Sequence, residues 1–224
     1  MKISKLSRRE REKIQHQLQR RNEILKAAKD RFFKDSYNEV SMDDIAGDLE
    51  LSKTTLYIYF ANKASLFFAI VTQGVVLLRD TFKNAMMQGT TGLEKIMKII
   101  QAFFEYIQNY SDYYRLNLSA RAPRFMKMLQ NGNHEIENAE EYVKLKEELL
   151  EIIVKAINLG IKDGTLRKDM DPIQTVMFLS SAIENMVYLS PVNQLLLDTY
   201  NISKEDYLQH STNVLLRGLA GDNL

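Results

Sequence analysis

Apolar residues recur at helical spacing along almost the whole chain, and no segment shows the period-two alternation of a half-buried strand. Ile24, Leu25, Ala28, Phe32 and Phe33 form the first stripe, in a stretch from Ser7 to Asp35 that nothing interrupts. Ser7 with Glu10 has the spacing of a capping box, so a helix can open there. Met42, Ile45, Ala46 and Leu49 make a second, short face, and Leu51, Leu56 and Phe60 a third. A longer apolar helix opens near Asn62 and runs through Phe82 to about Met87, where Gly89-Thr90-Thr91-Gly92 ends it.

The pattern continues to the C-terminus. Ile96, Ile99, Ile100, Phe103, Ile107 and Tyr110 lie on one helical face, with Thr91 and Glu94 able to cap it. A short helix spans about Tyr113 to Ser119, and Phe125, Met126, Met128 and Leu129 form another apolar piece after Pro123. Beyond the Asn131-Gly132-Asn133 turn, a long helix is expected from His134 or Glu135 to about Lys162, carrying Ile136, Ala139, Val143, Leu150, Ile153 and Ile157. Gly164 ends it, and Asp171-Pro172 starts the penultimate helix, faced by Ile173, Val176, Met177, Ser180, Ile183 and Val187. Ser203 and Asp206 cap the last, which reaches Gly218. The expected class is all-α.

Between Ser41 and Phe68 these elements have a specific arrangement. Ser41 and Asp44 cap one short helix, a tight turn follows, and Ser52 caps a second short helix. The second helix sets Lys53, Thr54, Thr55, Tyr57 and Tyr59 opposite its apolar side, and Asn62-Lys63 opens a third. This is a helix-turn-helix, in which the second helix lies in the DNA major groove. Lys53, Thr54 and Thr55, at its front, are placed to reach base edges. Tyr57, Tyr59 and Lys63 suit phosphate, with Lys63 beside the free amides of a helix start. For the two tyrosines, filling the small core is the competing reading.

The run Leu56, Tyr57, Tyr59, Phe60, Lys63 and Leu66 resembles the signature of the TetR family of transcriptional regulators. The resemblance implies an N-terminal helix-turn-helix DNA-binding domain plus a C-terminal helical ligand-binding and dimerisation domain. It also implies backbone contacts from Tyr57, Tyr59 and Lys63, with Ser41 and Ser52 at the same DNA-facing surface. Two positions depart from it. Glu50 stands in the turn where the family usually has glycine, so it must accept a left-handed conformation or a different turn. Thr54 stands where glycine is also common, which bears on base preference.

Composition narrows the chemistry. Net charge is only +1, but residues 1–21 hold eight Lys or Arg against two Glu. Such a basic arm attracts phosphate without reading sequence; a solvated helical extension without function is the alternative. The pattern alone leaves open whether the arm continues the first helix or is mobile, with continuation favoured. The chain has no cysteine and three isolated histidines (His16, His134, His210), so neither a disulfide framework nor a metal site is expected. No uninterrupted apolar run reaches the ~18 residues of a membrane span, and the charged N-terminus lacks the apolar core of a secretory signal. A cytoplasmic protein without cofactor is expected. No nucleophile–base pair, phosphate loop or ligand cluster speaks for an enzyme.

The division expected is a basic extension (1–21), a DNA-binding domain (22–68) and an effector-binding and dimerisation domain (69–224). In the last, Phe103, Phe104, Ile107, Tyr110, Tyr113, Tyr114, Phe125 and Met126 could line a pocket for an apolar or amphipathic effector, or could be ordinary helical core. Arg115, Arg121 and Arg124 either serve an anionic head group or are solvated. The final two helices mix small and large apolar residues, which suits packing across a two-fold axis and places Ile183 on the dimer interface. The function expected is a homodimeric repressor that binds a palindromic operator and is released by its effector. An architectural or adaptor DNA-binding protein without an effector is the alternative.

Overall fold

The computed structural model describes residues 7–130, 136, 137 and 139–221. Their helices are α1 (Arg8–Lys34), α2 (Met42–Asp48), α3 (Lys53–Tyr59), α4 (Lys63–Gln88), α5 (Gly92–Asn109), α6 (Ser111–Ser119), α7 (Pro123–Gln130), α8 (Ala139–Asp163), α9 (Pro172–Val187), α10 (Pro191–Thr199) and α11 (Lys204–Leu219). Most of the expected caps are made. Ser7 and Glu10 close the capping box at the head of α1, so the basic stretch from Arg8 onward is continuous with the first domain helix. Asp171 caps α9 with Pro172 in its first turn, and Ser203 caps α11.

The structure departs from the pattern in two places. α10 lies where no helix is expected, although Ser190 before Pro191 is a sound start signal. α8 buries Tyr142, Leu145, Leu149 and Ile152, so Val143, expected inward, is exposed. The helix is apolar on two sides, and periodicity does not say which one the core takes. The Asn131–Asn133 turn and the helix start at His134 or Glu135 lie outside the described residues.

The chain forms two compact units. The first comprises residues 1–76 and 110–144, so α6, α7 and the beginning of α8 belong with the helix-turn-helix, where the pattern divides the chain at residue 68. Its core is aromatic. Phe125 of α7 stacks on Phe67 (5.3 Å) and meets Tyr37 (4.9 Å) and Phe68 (5.3 Å) edge-on. Arg115 donates to the carbonyls of Phe32 and Phe33 at 3.0 and 2.6 Å, closing the C-terminal end of α1. Arg124 lies over the Tyr37 ring and bonds Asn38. These two arginines hold the first unit together; Arg121 is exposed. Gly74 is required here, because a Cβ on it would stand 2.8 Å from Cβ of Tyr113.

The second unit comprises residues 77–109 and 145–224, that is the end of α4, α5, most of α8, and α9 to α11. Its α5 and α8 cross at backbone contact: a Cβ on Gly92 would fall 2.0 Å from the Gly160 nitrogen. Asp163 accepts from the Gly92 amide at 2.8 Å, which caps α5 from α8. α4 is long and apolar enough, by length and composition alone, to cross a membrane, and 61% of its most apolar window is buried inside the protein, as in a core helix.

Candidate nucleic-acid interface and ligand cavity

The helix-turn-helix begins at Ser41. Its hydroxyl accepts from the Asp44 amide (3.1 Å) while the Asp44 carboxylate accepts from the Ser41 amide (2.9 Å). α2 ends in a left-handed residue. Leu51 donates to the Ala46 carbonyl (2.9 Å), Glu50 to that of Gly47 (3.1 Å), and Glu50 has φ 53°. That is a Schellman ending with glutamate in the place usually taken by glycine. The position thus keeps the usual turn at some strain, since an L-residue there is disfavoured by about 1 kcal/mol or more. Glu50→Gly is therefore expected to raise stability by about 0.5–1 kcal/mol, relief of strain outweighing the freer unfolded chain, whereas Glu50→Ala gains nothing. Urea unfolding of both variants checks this.

α3 follows, with Ser52 accepting from the Thr55 amide at 3.1 Å. Leu56 and Phe60 are fully buried, so the opposite side of α3 faces out. Ser52, Lys53, Thr54 and Tyr57 are exposed, while Thr55 and Tyr59 are half-buried. Thr55 spends its hydroxyl on Ser52 at 2.8 Å. Ile58, which the polar pattern passes over, is 75% exposed on this helix. Its register is the signal that would have found it, because two residues past the buried Leu56 is about 200° around the helix, away from the buried side. The Lys53 ammonium is held 2.6 Å from the exposed Asp43 carboxylate, which raises its pKa. Two exposed partners exchange readily for another anion.

Lys63 is placed differently from the free point charge that its position suggests. Its ammonium donates to the carbonyls of Tyr37 and Val40, both at 2.8 Å, and lies 4.3 Å from the centre of the Tyr37 ring. Burial, and behind it the charge of Arg124, push its pKa below the ordinary lysine value. An ammonium has three donors, so one remains. Arg31 clamps the end of α2 through two 2.6 Å bonds to Asp48, and Arg21 covers the Phe60 ring at 4.3 Å. Both fix α1 against the helix-turn-helix.

The eight residues expected to line a pocket are not brought together. Phe103 lines a cavity of about 320 Å³ in the second unit. Phe104 and Ile107 face a separate open groove beside α11. Tyr110 is exposed. Tyr113, Tyr114, Phe125 and Met126 belong to the first unit, where Tyr113 packs on Phe33 and bonds Gln73, and Tyr114 and Phe125 are buried. The aromatic run of α5 to α7 crosses from one unit into the other at Tyr110, so sequence proximity does not become one pocket. The cavity is mainly aliphatic, lined by Ile96, Ile99, Leu150, Ile153, Met177 and Ile183 with Phe82 and Phe103, and Lys146, Ser180 and Glu184 are its polar groups. Ile183 is thus buried on the inner side of α9 and not on an interface. The outer side carries Ile173 and Phe178, and Met177, which also lines the cavity, is exposed beside them.

Comparisons with known proteins agree with this geometry. The family model for bacterial regulatory proteins of the tetR family matches residues 24–70, the segment from α1 into α4. The HTH-type transcriptional activator FasR of Mycolicibacterium smegmatis is 32% identical over 98 residues, a stretch covering 44% of this chain and 45% of that protein. The chain therefore matches somewhat less than half the length of that curated relative. A regulatory protein of the tetR family from Rhodococcus RHA1 has a similar fold, with a TM-score of 0.64 at 16% identity over 90% of this chain and 97% of that one. FadR from Bacillus subtilis, solved with stearoyl-CoA, gives 0.60 at 16% identity over 88% and 98%. Residues 24–70 thus match the helix-turn-helix segment of the tetR family of bacterial regulatory proteins, and the described residues share the all-helical fold of solved regulators of that family.

Proposed function

We propose that this protein is a cytoplasmic, homodimeric repressor that binds a palindromic operator and releases it when an apolar small molecule occupies the second unit. The observation that carries the DNA half is the two-sided α3: Leu56 and Phe60 buried, and Lys53, Thr54 and Tyr57 outward. Lys53 and Thr54 read bases, Thr55 braces the start of α3 against Ser52, and Ser41, Ser52, Tyr57, Tyr59 and the remaining donor of Lys63 hold phosphates. Two copies are needed because a helix-turn-helix reads half-sites about one turn of DNA, ~34 Å, apart.

The effector half rests on the cavity. About 320 Å³ walled by aliphatic side chains and by Phe82 and Phe103 suits a compact apolar body, with Lys146, Ser180 and Glu184 as the polar groups of the lining. The stearoyl-CoA in the FadR structure is an apolar chain with a polar head, which is consistent with such a ligand class. α4 and α8 each have residues in both units, so ligand binding in the second has covalent routes to the first. A coupling of ~1–3 kcal/mol changes operator affinity roughly 5- to 150-fold.

The test is a thermal-shift screen of aliphatic compounds, followed by operator binding with each hit. Ile183→Phe should narrow the cavity, leave DNA binding intact, and weaken both the shift and the release. Retention of the ligand shift in Ile183→Phe would place the ligand elsewhere. FasR is named an activator, which favours the opposite sign of control, and a hit that tightens operator binding would establish that reading instead.

A further inference from the structure

α1 begins twelve residues before it meets the rest of its unit. From Arg8 to Gln19 no side chain is buried, and only Ile14 is partly covered. At 1.5 Å per residue this free segment is about 18 Å long. It is stabilised locally, by the Ser7–Glu10 capping box and an Arg8–Glu12 pair at 2.8 Å, and not by packing. An exposed helix of this length is marginal by itself. Residues 7–21 carry six cations against Glu10 and Glu12, so the segment suits an anionic surface.

The cations are also ordered in space. Arg9, Lys13 and Arg20 are separated by four and seven residues, which puts them within about 40° of one another around the helix. His16 falls in the same line, whereas the acids Glu10 and Glu12 lie to either side. The core-facing residues Ile24, Ala28 and Phe32 lie about 40°, 80° and 120° from the middle of the stripe, so it runs beside the buried face, and its three cations precede the first buried residue. Arg31, in the same register, bonds Asp48 at the end of α2, so the stripe runs along the edge of α1 that carries the helix-turn-helix. Arg21 on the Phe60 ring sets the base of the free segment beside the end of α3. Arg9 and Lys13 are exposed. Arg20 is paired with Glu23 at 2.8 Å, a bond that leaves most of its five donors unused.

We infer that the free half of α1 is a second DNA contact, with Arg9, Lys13 and Arg20 holding the phosphate backbone beside the site read by α3. The inference rests on the proposal that this protein binds DNA. It assigns the stripe a sequence-independent share of the affinity, and none of the base preference. An anionic membrane is a poorer match, because the segment has only Ile14 and Leu18 to insert.

The experiment measures affinity of the full chain for its selected duplex between 50 and 200 mM salt. In Arg9→Gln/Lys13→Gln/Arg20→Gln, the log–log slope should fall by about 2.7 per protomer, so the salt-induced loss becomes roughly 40-fold smaller per protomer. The selected motif should be unchanged. A second variant, Arg9→Gln/Lys13→Gln/Gln15→Arg/Gln19→Arg, keeps the net charge but moves two cations off the stripe, and its slope should fall by nearly two units. A wild-type slope in the first variant overturns the contact, and a wild-type slope in the second reduces it to net charge, overturning the stripe. A wild-type chain that binds no duplex defeats the DNA-binding reading itself. Binding to phosphatidylserine vesicles that is lost in the triple variant, with duplex affinity unaltered, would assign the stripe to lipid and overturn the inference.

Discussion

Phe178→Glu is expected to give a folded monomer that has lost 10²- to 10⁴-fold in operator affinity. Phe178 is 59% exposed on the outer side of α9, beside Met177 and Ile173. Val192 and Leu195 on α10 and Val214 on α11, which packs on α9, are likewise exposed. Exposed apolar side chains in such number mark an interaction surface, and a two-fold axis lets the same patch cover itself. A charge there costs the isolated subunit little, because surface substitutions usually stay within about 0.5 kcal/mol. It would leave two carboxylates facing each other in the assembled dimer. Linkage of two half-site binders raises affinity by ~10²–10⁴, and that factor is what the monomer forfeits. Sedimentation with a binding titration checks both parts. A dimeric variant with full affinity would move the interface elsewhere.

Lys63→Ala should lower both DNA affinity and thermal stability. A lysine that only meets phosphate would leave stability alone. Here the ammonium also joins the Tyr37 and Val40 carbonyls in the corner between α1 and α2. Removing a charged donor from such acceptors costs about 1.5–3 kcal/mol, a large share of a typical domain's stability. The salt slope should fall by roughly one unit for each lost phosphate contact, equally for all duplexes. Calorimetry and salt-dependent titration separate the two losses. Unchanged melting with a reduced slope would mean that the corner does not need Lys63, and the reverse would remove Lys63 from the DNA surface.

What could be read in advance divides along physical lines. Local rules place Ser41, Ser52, Asp171 and Ser203 at helix starts, because a cap is decided by residues three apart. The strain at Glu50 follows from the same local reasoning, since the turn demands a left-handed residue whatever surrounds it. Long-range choices are not decided within a window. Ile183 and Val143 illustrate this: α8 and α9 are apolar on more than one side, and only packing selects the inner one. The aromatic residues of α5 to α7 look like one cluster in sequence, but Tyr110 sits where the chain passes between units. Ile58 is passed over for a related reason: an apolar residue next to a polar face is assigned to the core by default.

Recognition of a palindromic operator by two copies of the chain is tested most directly by selection of bound duplexes from a random pool by the purified full chain. The expected result is a two-fold symmetric motif with half-site centres about one helical turn, ~34 Å, apart. A pool that emerges without an enriched motif, from protein shown to be folded, would contradict it.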